Sequence, residues 1–145
     1  MRNGTLLSPA QQLIQALDDF VERVDGVCEA AIVSAEGLPL VVSKGLGAAA
    51  ADRFAAVASG LFGLAKGASS RFDSGVVSEV IVEFEKAQIV VSGIVDGSVL
   101  SVVATTADLG EIAYEMALLA GDFGELLDTG VRVELQQVHY GRALP

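Results

Sequence analysis

The chain has 145 residues, 52% hydrophobic and 19% charged, the size of one domain and enough to bury about 70% of its extended-chain surface without disulfides or metals. Nine Lys+Arg against nineteen Asp+Glu give a net charge of −10, a field that repels nucleic acid and anionic lipid and favours a basic protein partner. A single cysteine, Cys28, excludes an internal disulfide and a multi-cysteine zinc site; with no signal-like run in MRNGTLLSPAQQ and no stretch near the ~20 apolar residues of a membrane span, a cytoplasmic protein is expected.

In chain order, Ser8-Pro9-Ala10-Gln11 predicts a helix start: Ser8 caps, Pro9 sits where its missing N–H costs nothing, and Gln11 reaches back to complete a capping box. Leu13, Leu17, Phe20, Val21 and Val24 follow at helical spacing until Asp25-Gly26. Residues 27–34 predict a first strand, Glu36-Gly37 a tight turn, and residues 38–43 a second strand placed at an edge by Pro39. Gly45-Leu46-Gly47 opens a long helix over 48–72, closed by Asp73-Ser74-Gly75. Three strands follow, over 78–86, 87–95 and 98–105, with Asp96-Gly97 as a two-residue hairpin turn. Asp108 and Glu111 cap a third helix, whose stripe is Ile112, Ala113, Met116, Leu119, Ala120, Phe123 and Leu127. Thr129-Gly130 stops it.

The order α-β-β-α-β-β-β-α implies an α/β (α+β sandwich) fold. Its sheet is a five-stranded mixed, mostly antiparallel one with helices on both faces, since strands 87–95 and 98–105 are apolar on both sides. Residues 1–130 form the domain. Residues 131–145 form a tail, either a short strand through Val131, Val133 and Leu135 or unstructured.

Few residue patterns offer chemistry. Gly45-Leu46-Gly47-Ala48-Ala49-Ala50 matches G-x-G-x-x-A, yet the strand before it is a hairpin edge, so the glycines fit a strand-to-helix corner better than a dinucleotide site. No Gly-Lys pair exists, which excludes a P-loop. His139 reads as a solvated tail residue and Cys28 as a small core residue. Glu79, Glu83 and Glu85 share one face of the third strand around Ile81, with Val80, Val82 and Phe84 opposite. These acids guard an edge better than they form an acid–base pair. No cofactor or metal ligand set emerges.

The crossover helix is the most informative segment. At 100° per residue, Phe54, Val57, Leu61, Leu64, Ala68 and Phe72 form a stripe expected to face the sheet. Ala56, Gly60, Gly63 and Gly67 form a second stripe about 100° away. Each glycine inside a helix costs about 1 kcal/mol relative to alanine, so this stripe implies a close backbone approach. The contact lies either within the monomer or with another chain, most simply a second copy in a two-fold interface.

The segments DDFVERVDGV, SAEGLPLVVS, RFAAVASGLFGLAKGA and AYEMALL together resemble the roadblock / dynein light chain family. The likeness spans about residues 10–128 and is nearest its bacterial branch from actinobacterial conservon operons. The resemblance implies a roadblock-like fold and a homodimer formed by pairing the third strands (Val80, Val82, Phe84) and packing the crossover helices (Ala56, Gly60, Gly63, Gly67). It implies a non-enzymatic platform for a Ras-like small GTPase, stimulating GTP hydrolysis in some relatives, with a sensor-kinase-like protein as a further partner. Arg53 and Arg71 are the candidate GTPase-contacting residues, and an inserted arginine of this kind adds roughly 10³–10⁵ in rate. The alternative is a small-molecule-sensing regulatory domain, against which the aliphatic inward positions and the absence of Trp speak. An enzyme using Glu83 and Glu85 is a third, weaker reading.

Overall fold

The computed structural model describes residues 7–105 and 108–143, the side chains of residues 129 and 139–143 excepted. Its elements are α1 (Pro9–Arg23), β1 (Val27–Val33), β2 (Pro39–Val42), α2 (Ala48–Phe72), β3 (Glu79–Glu83), β4 (Gln88–Gly93), β5 (Val99–Ala104), α3 (Leu109–Leu126) and α4 (Thr129–Ala143).

Local signals start and stop these elements as their chemistry predicts. Ser8 Oγ accepts the Gln11 amide and Gln11 Oε1 accepts the Ser8 amide, which completes the capping box of α1. Asp108 Oδ1 accepts the Glu111 amide at the start of α3. Asp96 and Gly97 both have positive φ, 53° and 83°, and the Ser98 amide donates to the Val95 carbonyl at 2.9 Å across them. That is the mirror-image turn whose twist suits a β-hairpin. The β3–β4 connection is longer than the abutting strands 78–86 and 87–95 imply, because β3 ends at Glu83 and β4 begins at Gln88. The Phe84 amide donates to the Ala87 carbonyl at 2.7 Å, so Glu85 and Lys86 lie in a turn and not on the strands.

The sheet order is β2-β1-β5-β4-β3 and all four pairings are antiparallel. A mixed sheet was expected from the long crossover. The crossover instead carries the chain from one edge strand, β2, to the other, β3, so it creates no parallel neighbour. Helices cover both faces, as the two-sided apolar strands require. On one face α1, α3 and the first turns of α4 bury Leu13, Leu17, Phe20, Ile32, Leu100, Ile112, Met116, Phe123 and Leu135. On the other, α2 packs over Ala31, Val33, Val42, Val91 and Val99.

Three expectations fail here for identifiable reasons. The described part of the tail is neither a strand nor unstructured, because residues 129–143 form α4. Asp128 Oδ1 accepts the Val131 amide at 2.9 Å and so caps a new helix, which buries Val131 and Leu135, four residues apart on one face. Arg132 reaches Asp96 at 3.5 Å, tying α4 to the β4–β5 turn. Cys28 is exposed and not a core residue. A register shift between Val27 and Glu29 at the start of β1 turns its side chain outward. Finally, the crossover helix presents a different stripe to the sheet.

Candidate interaction surface

The buried side of α2 is Ala51, Ala55, Ala58 and Phe62. It lies about 100° around the helix from the stripe of larger residues expected there. Strands rich in valine fill the space beneath, so alanines let the helix axis come close. Phe62 covers Gly93, where a Cβ would come within 3.1 Å of its ring. Of the stripe expected inside, Phe54 and Leu61 pack at the margin of this core, and Ala68 and Val57 are exposed. Leu64 is 75% and Phe72 71% exposed.

Consequently the outward side of α2 is apolar along most of its length. Ala56, Val57, Gly60, Gly63, Leu64 and Gly67 all lie there and all are exposed. A Cβ built on Gly60, Gly63 or Gly67 meets nothing within 4 Å. A tight contact within the monomer therefore does not explain the three glycines. They form a shallow bare track with Val57 and Leu64 along one side. The length and apolar content of α2 would by themselves suit a bilayer span, contrary to the expectation that no stretch approaches one. Its alanine stripe is instead packed on a sheet.

Arg53 and Arg71 are exposed on this same outward side. Their spacing places them about five turns and about 27 Å apart, at opposite ends of the track. Arg71 lies over the Phe72 ring at 5.6 Å. Past it, Asp73 adopts a left-handed conformation (φ 53°) and its amide and that of Ser74 cap the last carbonyls of α2.

β3 completes the surface. It is the sheet edge opposite β2. Because α4 packs against β2 as well as α1 and α2, β3 is the strand left without a neighbour on one side among the described residues. Val80 and Val82 are half-buried on the α2 side, and Val80 joins its core. Phe84, expected beside them, sits past the strand end and is exposed. Glu79 and Glu83 point to the other face with Ile81, all exposed, while Glu85 belongs to the turn. A row of open amides and carbonyls flanked by glutamates is polar enough for solution and still competent to pair.

The remaining candidates separate from this surface. Gly45 has φ +90° and makes the corner between β2 and α2; Gly47 is the extended N-cap of α2, and neither is crowded. With β2 antiparallel to β1, the corner is not a dinucleotide-binding β-α-β turn. His139 lies in α4, with its side chain outside the described residues. An open groove of about 820 Å³ corresponds to none of the sequence motifs. It lies between the C-terminal half of α2, residues 73–78 and the β4–β5 hairpin, and Phe62, Lys66, Ile94 and Ser98 are among its lining residues. Ser98 Oγ is buried there with no hydrogen-bond partner. No spacing signal marks it, because its walls come from two segments, 62–78 and 93–98, that only the fold brings together.

A helix-sheet-helix sandwich with an antiparallel order β2-β1-β5-β4-β3 and a glycine-lined crossover helix can be compared with known proteins. The family model for the Roadblock/LC7 domain matches residues 13–104. A Roadblock/LC7 domain from Streptomyces avermitilis is 35% identical over 86% of this chain and 96% of its own, with a TM-score of 0.68. A second from the same organism is 32% identical over 75% of this chain and 95% of its own, with a TM-score of 0.62. The gliding protein MglB from Thermus thermophilus shares the fold, with a TM-score of 0.72 at 15% identity over 84% of this chain and 93% of its own. No curated protein matches. With its family model spanning most of the sheet and α2, and relatives above 30% identity aligned over nearly their whole length, the chain belongs to the Roadblock/LC7 family.

Proposed function

We propose that this protein is a non-enzymatic, homodimeric platform for a Ras-like small GTPase, with α2 and β3 forming the dimer seam. The observation that carries the reading is the outward face of α2. It gives up about 3 kcal/mol of helix propensity at three glycines, and nothing among the described residues of the monomer makes use of it. A second copy does. Two α2 helices crossing at Gly60 and Gly63 approach closely, bury Val57 and Leu64, and bring the β3 edges side by side.

Such a seam has a midpoint near residue 62, halfway between Arg53 and Arg71. Each end therefore pairs Arg53 of one subunit with the region of Arg71 from the other. Two cationic corners on an otherwise acidic protein are suited to hold acidic loops of the GTPase. Stimulation of hydrolysis comes either from one of these arginines or from positioning the GTPase's own loops. Family membership supports the GTPase as partner class. A cytoplasmic setting and a sensor-kinase-like second partner belong to the same proposal.

The test combines sedimentation with single-turnover GTP hydrolysis by a purified Ras-like small GTPase. The wild-type chain is expected to sediment as a dimer and to bind or accelerate the GTPase, and the Gly60→Leu, Gly63→Leu double variant to sediment as a monomer. A double variant that remains dimeric removes the α2 seam. GTP turnover by the purified chain alone, abolished by a point change in it, overturns the non-enzymatic reading.

One observation favours a second reading. The groove that holds the unpartnered Ser98 hydroxyl has Lys66 and Asp73 at its rim and Phe62 and Ile94 in its lining, a mixture suited to a small polar molecule. A thermal shift with a metabolite that Ser98→Ala abolishes, without any GTPase effect, would favour small-molecule sensing instead.

A further inference from the structure

α3 is apolar on two sides. Its inner stripe, Ile112, Met116, Leu119 and Phe123, is buried in the core. On the opposite side Tyr114, Ala117, Leu118 and Gly121 recur at i, i+3, i+4 and i+7, and all four are exposed, Tyr114 by 64% and Leu118 by 52%. One apolar stripe is what a surface helix needs to hold its place. A second one at the same period is the spacing by which one helix seats another. A Cβ on Gly121 would meet nothing within 4 Å, so a notch stands open beside the two large side chains.

The surrounding charge selects the occupant. α3 carries Glu111, Glu115, Asp122 and Glu125 and neither Lys nor Arg. The adjoining α1 adds Asp19 and Glu22, while its Asp18 accepts the Lys44 amide at 2.9 Å and its cation, Arg23, is already paired with Glu115 at 2.9 Å. Across the sheet, α2 holds Arg53, Lys66 and Arg71 against one acid, Asp52. Much of the negative charge thus gathers on the α1–α3 side. A second copy seated there would set the same acids against each other, and nucleic acid or an anionic lipid surface is repelled in the same way. A helix with its own apolar stripe flanked by Lys or Arg satisfies both the ridge and the field.

We propose that the outer face of α3, flanked by the acids of α3 itself on the acidic α1–α3 side of the sheet, docks a basic amphipathic helix of a partner protein. Because this face lies on the other side of the sheet from α2, the assignment does not depend on the α2 seam or on the GTPase reading.

The experiment uses the full chain, ¹⁵N-labelled, and a synthetic Leu/Lys peptide of about 18 residues with leucines at helical spacing. The control is the same peptide with Glu in place of Lys. The Leu/Lys peptide is expected to shift amides along 110–125, with binding that weakens as salt rises. The Tyr114→Ser, Leu118→Ser double variant, folded by circular dichroism because both side chains are exposed, is expected to bind at least tenfold more weakly. Equal binding to that variant, equal binding of the Leu/Glu peptide, or shifts confined to α2 overturns the proposal. So does wild-type self-association that Leu118→Ser removes, since the occupant would then be a second copy.

Discussion

Replacing Gly60 and Gly63 by alanine should move two measurable quantities in opposite directions. In the isolated subunit both positions are exposed on α2 and a Cβ meets nothing within 4 Å. Each change then returns about 1 kcal/mol of helix propensity, or about 2 kcal/mol together. For a chain of this length that corresponds to a rise in melting temperature of roughly 4–8 °C. In a seam where two backbones approach at these glycines, the added methyl groups overpack the contact at a cost of about 1–3 kcal/mol. Association should weaken by at least about tenfold, which is ~1.4 kcal/mol. Urea unfolding at protein concentrations below the variant's dissociation constant reads the first quantity. Sedimentation equilibrium of wild type and variant reads the second. A variant that gains subunit stability while keeping the wild-type dissociation constant would show that the glycines serve no interface. A variant that loses subunit stability would contradict the open space above α2 itself.

Other changes test other parts of the same structure. Gly97→Ala should destabilise by more than about 2 kcal/mol in urea melts, because Gly97 has φ +83° and its Cβ would lie 2.8 Å from the Ala35 Cβ. A neutral result would mean that the β4–β5 turn is not of this type. Leu135→Ala removes a side chain that is 1% exposed and should cost about 2–5 kcal/mol; a cost below about 1 kcal/mol would show that α4 is not docked on the sheet. Ser8→Ala and Asp108→Ala each remove a helix cap and should cost about 1 kcal/mol apiece in thermal unfolding. Their effects should add, since the caps are on different helices.

Period, caps and turn chemistry were enough to determine the succession α-β-β-α-β-β-β-α, because those signals act over three or four residues and depend on nothing distant. The limits of α2 at Ala48 and Phe72, the caps at Ser8 and Asp108 and the turn at Asp96-Gly97 are all of this kind. The glycine track was also visible as composition on one helical face. Which side of α2 meets the sheet was not. That helix is apolar around most of its circumference, so periodicity alone admits several rotations. The choice of Ala51, Ala55 and Ala58 over Val57, Leu64 and Phe72 is made by the valines of the strands below, which leave room for small side chains except at Phe62, where Gly93 makes space for the ring. Residues 131–135 posed the same difficulty, since Val131, Val133 and Leu135 alternate like a strand, while Val131 and Leu135 also share a helical face. Burial against the core next to β2 and α1 decided for the helix. The edge-to-edge path of the crossover and the outward turn of Cys28 depend likewise on which strands pair, a long-range fact that no local pattern carries.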